Sequence, residues 1–141
     1  MTVVIDTNVV FQGRGIGHPY HCILDACVDG KIVWAVSNAI LKEYEEVIRR
    51  KEPESCWHDL GLLMDYITLT QGTMLHVSPQ FRFRIIHADP DDNPFVDCAI
   101  AGHADYIITD DRHFAPLAGA GYKPQPIKPL DFIAKYRGIY V

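Results

Sequence analysis

Cysteine pairs are missing from this chain: its four cysteines, Cys22, Cys27, Cys56 and Cys98, include no C-x-x-C. A disulfide framework or a zinc ribbon is therefore not expected, and the four read as reduced, mostly buried thiols. Seven histidines include no H-E-x-x-H, and the spacing His18-Pro19-Tyr20-His21 does not fix a tetrahedral site. Gly13, Gly15 and Gly17 lack the spacing of a phosphate-binding turn that opens a helix, and no G-K-[ST] follows them. No apolar run approaches the ~20 residues that span a bilayer. Met1-Thr2 leads directly into an apolar segment with no basic leader. These absences predict a cytoplasmic protein with no membrane partner.

Positive charge is also in short supply. Thirteen Lys and Arg against 18 Asp and Glu give a net charge of −5, which argues against a protein that coats nucleic acid by charge alone. The basic residues are grouped, however: Arg49-Arg50-Lys51, Arg82 with Arg84, and Lys123, Lys128, Lys135 and Arg137. The hydrophobic fraction of 48% is ample for the core of one domain spanning 1–141.

What is present is an alternation of strand and helix patterns. Residues 2–6 read as a buried strand and Phe11–Pro19 as a glycine-bearing loop. Tyr20–Val28 reads as a helix and Ile32–Val36 as a strand. Ser37 is placed to cap a helix reaching about Arg50, with Ile40, Leu41, Tyr44, Val47 and Ile48 on its apolar face. Trp57–Leu69 reads as the next helix, and a strand follows in either Met74–Val77 or Phe81–Ile86. Pro94–Ala104 reads as a helix, Tyr106–Thr109 as a strand, Pro126–Lys128 as a last strand and Leu130–Tyr136 as a last helix. This order predicts an α/β/α sandwich around a mostly parallel sheet, with ligands at the carboxyl ends of its strands.

Acidic residues stand where those elements end. Val3-Val4-Ile5 stops on Asp6, and Ile107-Ile108-Thr109 stops on Asp110-Asp111. Glu43 borders the apolar stripe of its helix. Asp89, Asp91, Asp92 and Asn93 crowd the entry to the Pro94 helix, where Asp92 or Asn93 is expected to cap, and Asp97 lies one turn on. Carboxylates from distant segments on one rim repel unless cations neutralise them, which points to oxygen-ligated divalent ions and to phosphodiester chemistry. Arg14, Arg112 and His113, in loops at the strand ends, are candidates for phosphate contact. A haloacid-dehalogenase-type phosphatase would need an acid at position 8, which is Asn.

The Asp6-Thr7-Asn8 opening and the Ser37–Tyr44 helix start, with Asp89-Pro90-Asp91-Asp92-Asn93-Pro94-Phe95 and Gly102–Asp111, resemble a PIN domain over nearly the whole chain, the motifs in the family's order. The likeness is strongest to toxin components of toxin–antitoxin pairs (VapC-like). It implies a metal-dependent ribonuclease with a PIN-like α/β sandwich. Asp6, Glu43, Asp92 and Asp111 would be the catalytic carboxylates, binding Mg²⁺ or Mn²⁺. Thr7, Asn8 and Thr109 would support those ligands or touch substrate; Asn93, Asp97, Asp110 and Arg112 stand beside them and are grouped with them. Asp89, Asp91 and Asp97 remain alternatives to Asp92, and Asp110 stands where relatives often carry Gly or Arg. The implied partners are an RNA substrate and a cognate antitoxin, with a second copy of the chain as a further candidate. The alternatives are an RNA-processing nuclease without an antitoxin and a non-cleaving scaffold.

Overall fold

The computed structural model describes residues 1–87 and 89–141. Five strands form one sheet: β1 (Thr2–Ile5), β2 (Val33–Val36), β3 (Met74–His76), β4 (Tyr106–Ile108) and β5 (Gln125–Ile127). Their order is β3-β2-β1-β4-β5, and every neighbouring pair is parallel. The expected mostly parallel sheet is thus wholly parallel. Such a sheet is covered on both faces, which is why β1 and β4 read as unbroken apolar runs. Val3, Val4, Ile5, Ile107 and Ile108 have no exposed surface.

Among the described residues, six helices flank the sheet: α1 (Thr7–Gly13), α2 (His21–Val28), α3 (Asn38–Lys51), α4 (Glu54–Thr70), α5 (Asn93–Ala101) and α6 (Pro129–Tyr136). None is long and apolar enough to cross a membrane. The strand order reverses between β1 and β4, so a crevice opens beyond the carboxyl ends of these two neighbours. Val4 pairs with Ile107 and Ile5 with Ile108, which carries Asp6 and Thr109 to the same rim side by side.

The core beneath that rim is aromatic. Trp34, Tyr44, Phe95 and Phe114 are fully buried and follow one another at ring separations of 6.1, 6.3 and 6.4 Å. The Tyr44 hydroxyl donates to the carbonyl of Ile5. That bond ties α3, and hence Glu43, to the last residue of β1 before Asp6.

Several elements differ from the sequence expectation. The expected loop Phe11–Pro19 begins instead inside a helix, since α1 runs from Thr7 through Gly13. Asp6 accepts a hydrogen bond from the Thr7 N–H at 2.8 Å, and its carbonyl accepts from Val9 and Val10. The β-branched run Val9-Val10 disguises this helix, whose stability comes from burial of those side chains. Residues 81–86 are not a strand; the strand is Met74–His76. Ser37 does cap α3, accepting from the Ile40 N–H at 3.3 Å. Neither Asp92 nor Asn93 caps α5 with its side chain: Asp92 makes no capping bond and Asn93 is engaged elsewhere. Asp89 instead accepts from the Asp91 N–H, closing a short 3-10 turn over Pro90–Asp92.

Candidate metal centre

Asp6 is the pivot of the rim. It is buried, with 6% of its surface exposed. One carboxylate oxygen accepts from the Thr7 N–H and the other accepts from the Thr109 hydroxyl at 2.7 Å. Burial nonetheless holds its pKa above the ordinary carboxylate value, and the charges of Asp111 and Asp110 push the same way. Thr109, also buried, accepts in turn from the Asp111 N–H at 2.9 Å. Asp111 opens a second 3-10 turn, Arg112–Leu117, by accepting from the His113 N–H at 2.8 Å. A continuous relay of hydrogen bonds thus fixes the ends of β1 and β4 to each other.

Asp92 reaches the rim from the far side, ahead of α5. Its pKa is raised to about 7, first by burial and then by Asp6, Asp89, Asp111 and Glu43. Glu43, half-buried on α3, is also raised, by burial first, then by Glu46, Asp91, Asp6 and Asp89. The five carboxylates of Asp6, Glu43, Asp89, Asp92 and Asp111 therefore share one field. Among the described residues none of them makes an ion pair with a lysine or arginine. Ligand atoms of Asp89, Asp92 and His113 lie within 4.8 Å of one another. The Nδ1 atom of His113 is 3.3 Å from Asp111 and 3.8 Å from Asp92.

The donor set fits a divalent cation. Asp92 Oδ2 and His113 Nδ1 are buried atoms without a hydrogen-bond partner among the described residues. Unpaired buried polar atoms are costly, and two that face each other are explained if an ion completes them. Hard carboxylate oxygens suit Mg²⁺ or Mn²⁺, and an imidazole nitrogen beside them is better matched to Mn²⁺.

The remaining expected residues are placed differently. Thr7 is buried next to Asp6, and its hydroxyl has no partner among the described residues. Asn8 and Arg112 are exposed, with no side-chain hydrogen bond or ion pair among the described residues. Asp110 accepts from the Tyr20 hydroxyl at 2.6 Å, which pushes the Tyr20 phenol up to about 12, while its charge still acts on Asp6. Asn93 and Asp97 face a different segment. Asn93 accepts from the Ile86 N–H and donates to the Ile86 carbonyl, both at 2.9 Å, and Asp97 accepts from the Phe83 N–H at 3.0 Å. The charges of Asp6, Glu43, Asp92 and Asp111 thus act on one another, but among the described residues the ligand atoms close enough to share one ion are those of Asp89, Asp92 and His113. His113 is expected from sequence only as a phosphate contact; the signal for its placement is the Asp111-Arg112-His113 turn, which folds the ring back over the Asp that opens it.

A family model described as a PIN domain matches residues 2–113 of the chain. Comparison with curated proteins and with solved structures gives no match.

Proposed function

Because the chain belongs to the PIN-domain family, whose members are typically metal-dependent nucleases, we propose that it is an endoribonuclease that uses Mg²⁺ or Mn²⁺. The observation that carries this reading is the gathering of carboxylates from separate segments at the β1/β4 crevice, with no lysine or arginine paired to them among the described residues.

Asp6, Glu43, Asp92 and Asp111 would hold the ion, with Asp89 and His113 beside them. A bound divalent ion supplies an activated water and neutralises charge on the phosphoryl oxygens and the leaving oxygen. The chain's own part is to position. The Thr7 N–H and the Thr109 hydroxyl aim the two oxygens of Asp6. The His113 N–H holds Asp111. The Tyr44 hydroxyl fixes the helix bearing Glu43 against the end of β1. With its pKa raised to about 7, Asp92 is protonated in part at neutral pH and would be held as the carboxylate by a bound cation. By family analogy the products carry 5′-phosphate and 3′-hydroxyl ends.

The family resemblance further supports a toxin role, with an antitoxin encoded beside the gene that covers the acidic rim. Pure protein incubated with a mixed RNA pool and Mn²⁺ or Mg²⁺ is the test, beside EDTA and Asp6→Asn controls. Cleavage lost in both controls supports the nuclease reading; no cleavage by folded protein in either metal sinks it. Growth arrest on expression, relieved by the neighbouring reading frame's product, separates a toxin from a processing nuclease.

A further inference from the structure

The segment between β3 and the acidic turn takes no part in the nuclease chemistry proposed above. It runs through residues 77–87 without regular structure, yet it is fastened to α5 at two points. Asp97 accepts from the Phe83 N–H, and Asn93 binds both backbone groups of Ile86. Between strap and helix lies a groove of about 850 Å³, walled on the other side by the start of α3.

The groove lies beside the acidic rim, none of whose carboxylates lines it. Pro90 and Asn93, on either side of Asp91 and Asp92 in the chain, do line it, and Ala39 on its α3 wall is one turn before Glu43 on the same helix face. Its lining is mainly apolar, with Arg82, Arg84 and His87 presented from the strap. Both arginines are exposed, and neither makes an ion pair or side-chain hydrogen bond among the described residues. Asp97 in the lining accepts from the Phe83 N–H and also feels the Arg82 charge, without forming an ion pair with it, so Arg84 is the arginine with no acidic group acting on it in the lining. Arg84 has φ 54°, a left-handed conformation that a non-glycine residue adopts at a cost. Phe81 alternates with these arginines and is 73% exposed, its ring backed by Phe83 at 6.4 Å; Phe83 in turn meets Tyr122 edge-on at 5.4 Å.

An exposed phenylalanine beside exposed arginines that make no ion pair among the described residues, along a groove next to the acidic rim, matches the needs of one class of ligand. Single-stranded nucleic acid offers unstacked bases to a ring and phosphates to guanidinium groups. A duplex keeps its bases stacked inside and cannot use Phe81. The locally basic strap also supplies what a chain of net charge −5 otherwise lacks for a polyanion. We propose that the 78–87 strap and its groove bind single-stranded RNA and feed it to the acidic rim, with Phe81 stacking a base and Arg82 and Arg84 contacting phosphates. That the strand is RNA rests on the ribonuclease reading above; that it is single-stranded rests on the strap.

Binding of a fluorescent single-stranded RNA oligonucleotide, measured by anisotropy in EDTA, tests the strap without any cleavage. Phe81→Ala is expected to weaken binding about tenfold. Arg82→Ala and Arg84→Gly are each expected to lower the slope of log affinity against log salt by about 0.7. Arg84→Gly relieves the left-handed conformation, so it should keep or raise Tm while losing affinity, a combination that loss of folding cannot produce. Arg50→Ala, which removes the same charge at the far end of α3, should leave affinity unchanged. The proposal is overturned if the parent protein binds no single strand in EDTA, if it binds duplex RNA equally well, or if the strap variants bind like the parent, as a groove meant for a protein segment would give. Strap-dependent binding without metal-dependent cleavage would keep the proposal and overturn the nuclease reading instead.

Discussion

The chemistry of a single side chain, Asp92, decides how the rim behaves without a cation. Its folded pKa of about 7 lies above the ordinary value of 3.8, so the folded state holds a proton that the unfolded chain releases. Stability of the metal-free protein is therefore highest at or below about pH 4 as far as this group is concerned. It declines as pH rises toward 7, the reverse of a salt-bridged aspartate. Asp92→Asn should raise the metal-free Tm at pH 7.5 by a few degrees in a melting scan while abolishing cleavage, since it removes a repelled charge and a ligand together. Metal affinity should rise with pH through about 7, with roughly one proton released per site, measurable by calorimetry in buffers of different ionisation enthalpy. Thr109→Val removes the hydroxyl that donates to Asp6 and accepts from Asp111. It should weaken Mn²⁺ binding about 10–100-fold in the same titration, with secondary structure by circular dichroism unchanged.

Among the elements, α5 serves two neighbours at once. Its entry carries Asp92 toward the rim, while Asn93 and Asp97 hold the 77–87 strap. Asn93→Ala leaves the Ile86 N–H and carbonyl unpaired, which should cost about 1–3 kcal/mol and speed proteolytic cutting within residues 78–87 without loss of Mn²⁺ binding. This division explains what sequence could and could not reveal. Asp6 and Glu43 were legible because each ends or borders an apolar pattern that fixes where it must emerge, whereas the run ending at Thr109 leaves Asp110 and Asp111 alike and only the family resemblance singles out Asp111. Asp92 and Asn93 look like helix caps, and only tertiary contacts distinguish them: the Ile86 backbone claims Asn93, and Asp89 takes the nearby turn, so Asp92 stays unspent. The helix α1 was hidden because Val9 and Val10 favour strands locally, and burial against the core outweighs that preference. The strap was hidden because its shape comes from two long-range side-chain bonds rather than from any periodicity.

At the scale of the whole molecule, the site follows from topology. A parallel sheet ordered β3-β2-β1-β4-β5 has one reversal, and Asp6 and Asp111 follow the two strands that flank it. The aromatic core from Trp34 to Phe114 sets the helices that bring Glu43 and Asp92 to the same place. The fold thus collects five carboxylates and leaves their charge for a cation to balance. Titration of the pure protein with Mn²⁺, beside Asp6→Asn and Asp111→Asn, tests this most directly. The account predicts saturable binding that raises Tm and that weakens at least tenfold in both variants. No binding, or binding that is equal in all three proteins, would contradict it.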